Sequence, residues 1–115
     1  MSKVVYLASP YTANAGLAEF VQLQRYYATA AAVHEMAEPG TLIYSPILHS
    51  VPAADTLELP SRWEYWRERD LDAIDCCDEL WVLMLPGWDE SKGVAEEAAY
   101  ARDTGKPVVY QEWTE

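Results

Sequence analysis

The sequence predicts an α/β domain in which a parallel sheet is covered by helices on both faces. Three observations predict it. Short apolar runs such as Lys3–Ala8 and Glu79–Leu85 have strand length and little polar alternation, as strands buried on both faces do. They alternate with longer segments of helical character, the order of a sheet whose strands are joined by crossover helices. The first three runs close on proline or glycine, at Ser9-Pro10, Ser45-Pro46 and Pro86-Gly87.

The elements follow in order. Lys3–Ala8 is a strand broken by Pro10. Asn14 to Met36 holds Leu17, Phe20, Val21, Tyr27, Ala28, Ala31 and Ala32 without a proline, which predicts a long helix ended by Pro39-Gly40. Thr41–Tyr44 is a second strand, closed by Ser45-Pro46. Residues 46 to 60 hold three prolines and no clear period and read as a loop. Ser61 can cap a helix over about Arg62 to Cys77. Glu79–Leu85 is the strongest strand, stopped by Pro86-Gly87. Ser91 to Thr104 is a helix with Gly105 as its C-terminal stop. Lys106–Tyr110 is the last strand. The expectation is a single domain over residues 1–115, three-layered and doubly wound (flavodoxin-like or Rossmann-like), with a parallel sheet of about four to five strands. Such sheets bind ligands beyond the carboxyl ends of their strands, at a switch point. The strand exits to inspect are therefore Ala8 to Asn14, Ser45 to Ser50 and Pro86 to Gly93.

Composition narrows the function classes. A chain of 115 residues is one domain, and it hides about two-thirds of its unfolded surface on folding. Half its residues are apolar and 23% are charged, which is globular rather than disordered usage. With 19 acidic and 8 basic residues the net charge is −11. Tracking a nucleic acid polymer needs a basic stripe, and an anionic membrane surface repels such a chain. No apolar run approaches the roughly 20 residues that span a bilayer, and no charged segment followed by a long apolar one opens the chain. The two cysteines, Cys76 and Cys77, are adjacent, where they rarely bridge each other, so a reducing compartment is expected, the cytoplasm by default. His34 and His49 do not combine with them at a zinc spacing, so no metal is expected.

The third exit, Pro86-Gly-Trp-Asp-Glu-Ser-Lys-Gly93, is the richest. Ser91 there is a helix N-cap, and a helix N-terminus suits a phosphate or a sugar hydroxyl. Gly93 would let a ligand approach the backbone closely. A plain cap and turn explain the same residues. The glycine series of a P-loop or a dinucleotide fingerprint is missing. Further along, Val94, Ala98 and Ala101 form the apolar stripe. Glu97 falls on that stripe, while Glu96 shares a side with Gly93 and Tyr100. An inward carboxylate is costly unless it has a partner or a task. Asp70 stands four after Trp66 and four before Ile74, inward on a helix whose stripe is Trp63, Trp66, Leu71, Ile74 and Cys77. Arg67 could neutralise it at i,i+3. Two inward carboxylates on successive helices are what acid–base or glycosyl-transfer chemistry uses. Tyr6 on the first strand is core or a hydrogen-bond donor to a catalytic carboxylate. Trp88 could stack on a flat ring. Trp63 and Trp66 read as core or an oligomer contact, and His49 as a general acid or an exposed side chain.

Three of these segments, in register, resemble the nucleoside 2-deoxyribosyltransferase superfamily. Ser91-Lys-Gly93-Val-Ala-Glu-Glu97-Ala-Ala-Tyr-Ala101, followed by Gly105-Lys-Pro-Val-Val109, is similar to its nucleophile motif and following strand. Asp70-Leu71 with Ile74 and Asp78 is similar to its Asp-Leu-x-x-Ile helix. Val5-Tyr-Leu-Ala-Ser-Pro10 is similar to its first strand and loop. The match spans nearly the whole chain in order. The Asp70–Ser91–Glu97 spacing is close to that of the 2-deoxynucleoside 5-monophosphate N-hydrolases in that group. Pro86-Gly-Trp-Asp-x-Ser-x-Gly-Val94 looks most like a small branch of the superfamily.

The resemblance implies an enzyme that cleaves the N-glycosidic bond of a 2-deoxynucleoside or its 5-monophosphate through a covalent deoxyribosyl-Glu intermediate. Transfer then runs to another base or to water. Glu97 would be the nucleophile. Asp70 would manage the leaving group's proton, and Tyr6 would orient Glu97. Ser91 and the Gly93 backbone would hold the 5′ end, with Ser9, Pro10, Trp88 and His49 also at the substrate. No metal or organic cofactor is implied, and relatives are commonly homo-oligomers whose sites are completed across the interface. Ser9 stands where the family usually has glycine, and residues 8–14 hold no arginine. These departures motivate a second reading, a module of the same fold that binds a nucleoside or nucleotide without turning it over.

Overall fold

The computed structural model describes residues 2–12, 18–59 and 63–114. Its elements are β1 (Lys3–Ala8), α1 (Ala18–Met36), β2 (Thr41–Tyr44), α2 (Pro46–Leu57), α3 (Trp63–Asp75), β3 (Glu79–Leu83), a 3-10 turn (Trp88–Glu90), α4 (Lys92–Asp103) and β4 (Val108–Gln111). The four strands are all parallel, in the order β2-β1-β3-β4. The chain winds outward from β1 to β2, then crosses back to β3 and β4. Loops leaving β1 and β3 therefore diverge at the carboxyl edge between these two neighbours, which makes that edge the switch point.

Strand alternation sorts the core into two layers. Tyr6, Ala8, Leu80 and Val82 point to one face, where Ile74 and Cys77 from the α3 end and Val94, Ala98 and Ala101 of α4 cover them. Leu7 and Leu83 point to the other, under Ala32 of α1 and beside Leu85, Ile43 and Trp113. Tyr6, Leu7, Ile74, Leu80, Leu83 and Leu85 are fully buried. The small residues along α4 allow the helix to lie close to the sheet. Its second-turn side chain at position 97 is then carried to the strand ends.

The helix over residues 46–57 corrects the loop expected there. Ser45 accepts the Leu48 N–H on its hydroxyl at 3.2 Å, an N-cap bond. Pro46 occupies the first helical position, where its missing N–H is needed by nothing. Only Pro52 lies inside the helix, at the cost of one backbone bond. The expected start of the first helix at Asn14 and the Ser61 cap lie outside the described residues. β3 ends at Leu83 rather than Leu85, because the Leu85 N–H turns back to the Leu83 carbonyl at 2.8 Å. β4 starts at Val108, two residues later than expected. Among the described residues no helix is long and apolar enough to cross a membrane. Both cysteines are free, Cys76 exposed and Cys77 buried.

Candidate active site

At the switch point lies a cavity of about 330 Å³, within the size range of small-ligand sites. Three segments wall it. Ser9, Tyr11 and Thr12 come from the β1 exit. Ser91, Lys92, Gly93 and Val94 form the first turn of α4. Pro46, Ile47, Ser50, Val51 and Ala54 come from α2. Trp66 and Asp70 of α3 and Glu97 of α4 complete it.

The position of Glu97 is set by the start of its helix. Ser91 has extended backbone angles and accepts the Val94 N–H on its side chain at 3.2 Å. That cap uses one lone pair of the hydroxyl and leaves its proton as a separate donor, on a residue that lines the cavity. From this start Val94, Glu97, Ala98 and Ala101 are the buried residues of α4. Replacing Ser91 by Ala is expected to remove about 1 kcal/mol of stability, read as a fall in Tm of about 4 °C.

Glu97 is 5% exposed and Asp70 9%, so both inward carboxylates are buried. They hydrogen-bond each other. Tyr6 donates its hydroxyl to Glu97 Oε2 at 2.5 Å. Arg67, the expected i,i+3 partner of Asp70, pairs instead with Glu96, Nε to Oε2 at 3.7 Å, on the outer side of the two helices. The α3–α4 contact thus has a wet rung, Arg67–Glu96, and a dry one, Asp70–Glu97. No cation neutralises the dry rung among the described residues.

Burial therefore governs the electrostatics. It pushes the Asp70 carboxyl up to about 6. It holds the Glu97 carboxyl well above the usual carboxylate range, with the Asp70 charge adding to the rise. It also keeps the Tyr6 phenol neutral far into alkaline pH, with Glu97 adding to the effect. Two carboxyls in hydrogen-bond contact away from water cannot both ionise cheaply. The pair therefore favours holding one proton between them over ionising twice. The arrangement offers an acid, a nucleophile or base, and an orienting hydroxyl at one end of a nucleoside-sized cavity.

The remaining expected residues fall in different places. Ser9 lines the cavity and lies 3.3 Å from the Thr29 hydroxyl. Pro10, expected at the substrate, is fully buried and is not one of the cavity walls. Trp88 lies outside the cavity, packed at 5.5 Å against Tyr110, because the 3-10 turn rotates it toward β4. His49 is exposed on α2 and tilts against Tyr44 at 5.6 Å, while its neighbours Ser50 and Val51 face the cavity. Trp66 is a cavity wall and Trp113 packs on the core; the Trp63 side chain lies outside the described residues.

Sequence reasoning missed the α2 wall and the part played by α1. Ser45-Pro46 followed by Ile47, Val51 and Ala54 at helical spacing carried the first signal. Arg25 of α1 donates to the carbonyls of Tyr11 at 3.3 Å, Thr12 at 2.9 Å and Pro86 at 3.4 Å. Backbone acceptors leave no trace in a sequence. Lys92 faces Glu64 at 3.3 Å across the mouth of the cavity, an exposed pair that contributes little to stability.

A family model described as a domain of unknown function (DUF1937) matches residues 3–113, nearly the whole chain. No curated protein matches it.

Proposed function

The chain belongs to the DUF1937 family, and we propose that it cleaves the N-glycosidic bond of a 2-deoxynucleoside or its 5-monophosphate, with Glu97 as nucleophile. One observation carries the proposal: Glu97, Asp70 and the Tyr6 hydroxyl converge at a switch-point cavity of about 330 Å³. The resemblance of the motifs that supply these residues to the 2-deoxyribosyltransferases supports the same reading.

The chemistry follows from the single shared proton. A Glu97 oxygen attacks C1′ of the deoxyribosyl group as the C1′–N bond breaks, and the electron pair of that bond leaves with the base. Asp70 gives the leaving nitrogen its proton, which the carboxyl–carboxyl hydrogen bond allows Asp70 to hold once Glu97 engages the sugar. Tyr6 donates to Oε2 and fixes the rotamer. The transition state resembles an oxocarbenium ion, so two close carboxyls suit it. In the second half, an acceptor base or water attacks C1′. The Glu97 carboxylate leaves, and Asp70 takes the proton lost by the acceptor. The Ser91 hydroxyl and the Gly93 backbone at the α4 N-terminus hold the 5′ end.

The setting we propose is the cytoplasm, in keeping with two free cysteines. We further propose a homo-oligomer, a dimer or higher. Phe20, Leu23 and Tyr27 are 54%, 52% and 63% exposed at i, i+3 and i+7 on α1, an uncharged stripe on a chain of net charge −11. Light scattering on the purified protein tests this, and a strictly monomeric mass at high concentration rejects it.

Intact-mass spectrometry after mixing the protein with pooled 2-deoxynucleosides and their monophosphates tests the reaction. A gain equal to a deoxyribosyl group or its phosphate, absent in Glu97→Gln, is expected, and the mass gained identifies the 5′ group. Free base without an adduct means rapid passage to water. Neither adduct nor base, with a ligand that still raises Tm equally in both proteins, establishes the binding module instead.

A further inference from the structure

We propose that Arg25 is a positioning residue that holds the two sides of the cavity at their working separation by tying the β1 exit to the β3 exit. Its guanidinium reaches three carbonyl oxygens on two loops: Tyr11 and Thr12 on one side of the switch point, Pro86 on the other. A rigid fork of donors is suited to this, where a single ammonium is not. The first loop supplies cavity walls directly. Pro86 begins the segment that leads to the Ser91 cap and hence to Glu97.

Two further observations give Arg25 this role. Gly87 has φ 92°, which favours glycine, and a Cβ there would lie 2.5 Å from Arg25 Nη2, so the guanidinium packs directly on the β3 exit and a side chain at 87 would displace it. Thr29, one turn after Arg25 on α1, is fully buried. It lies 3.3 Å from the Ser9 hydroxyl and donates to the Arg25 carbonyl at 2.7 Å. The same face of α1 thus fastens the β1 exit at Ser9 and again at Tyr11 and Thr12. Carbonyl oxygens tied in this way cannot drift as the ligand enters or leaves. Small misplacements of groups that position a substrate cost rate out of proportion to their size.

For its effect on turnover this inference rests on the glycosyl-transfer reading; for the loops it does not, and the test separates the two. Hydrogen exchange is measured by mass spectrometry on the native protein, Arg25→Gln, Arg25→Lys, Gly87→Ala and the Arg25→Gln/Gly87→Ala pair. Exchange in Arg25→Gln is expected to rise about tenfold or more in both residues 9–12 and residues 85–91, and to stay unchanged in β1, β3 and α3. Arg25→Lys falls between. Gly87→Ala displaces the guanidinium and also strains the backbone at its positive φ, so it loosens residues 85–91 in both backgrounds, residues 9–12 only where Arg25 is present, and adds less in the Arg25→Gln background than alone. With any deoxynucleoside that the native protein turns over, Arg25→Gln lowers kcat/KM about tenfold or more, and Arg25→Lys restores part of it.

A rise confined to one loop, or spread over the whole chain, overturns the proposal, as does strict additivity of the two substitutions. Unchanged kcat/KM with loosened loops overturns it too. If the native protein turns over no substrate, the glycosyl-transfer reading fails by itself and exchange alone decides the role of Arg25.

Discussion

Glu97→Gln is expected to reduce base release by about a thousandfold or more and, at pH 8, to raise Tm by about 5 °C. The two effects share one cause. The carboxyl of Glu97 is buried beside a second carboxyl, with no neutralising cation among the described residues. At pH 8 the folded chain must either hold a proton there against the solvent or keep two negative charges together. A glutamine amide has nearly the same shape. Its oxygen accepts from Tyr6 and its N–H donates to Asp70, so no buried polar atom loses its partner. What disappears is the electrostatic cost and, with it, the nucleophile. A buried glutamate kept only for packing would lack the loss of turnover. A solvated one would lack the gain in Tm. Differential scanning fluorimetry at pH 8 and a base-release assay on the same preparation read both.

Much of this site was legible in the sequence, for a specific reason. Val94, Ala98 and Ala101 define one side of α4 at intervals of four and three. Glu97 lies on that side by spacing alone, as Asp70 does four residues before Ile74. Periodicity reports which way a side chain faces. It does not report what it meets. The contact between Asp70 and Glu97 depends on β3 lying beside β1 and on α3 and α4 covering the same face. Strand order is a property of the whole chain. The i,i+3 pairing of Arg67 with Asp70 was reasonable within an isolated helix, and the neighbouring helix offered Arg67 a wetter carboxylate in Glu96. The prolines hide the α2 wall in the sequence, because their position and not their number decides the outcome: Pro46 starts the helix and Pro52 lies inside it. Trp88 sat at a strand exit in sequence, and a 3-10 turn carried it away from the cavity.

Stability is expected to fall as pH rises from 5 to 8, the reverse of a protein held together by salt-bridged carboxylates. Asp70 titrates at about 6 in the folded chain against 3.8 unperturbed, and Glu97 is raised as well. The folded state therefore binds more protons than the unfolded state above about pH 4. This contribution is full below the unfolded value. It is lost through about pH 6 for Asp70, and Glu97 extends the loss upward. Thermal melts at several pH values should show a native Tm that declines across this window and an Asp70→Asn/Glu97→Gln protein whose Tm is flatter. An identical slope in both would place the proton uptake elsewhere. The rate has a different dependence. Turnover needs one proton on the pair, since the doubly protonated form has no nucleophile and the doubly ionised form has no acid. The rate of base release should rise through about pH 6, as the first proton leaves, and fall at higher pH as the second does, with both limbs belonging to the pair rather than to either residue. Through about pH 6 the native chain thus gains activity as it loses stability. A mutant that removes either carboxyl uncouples the two.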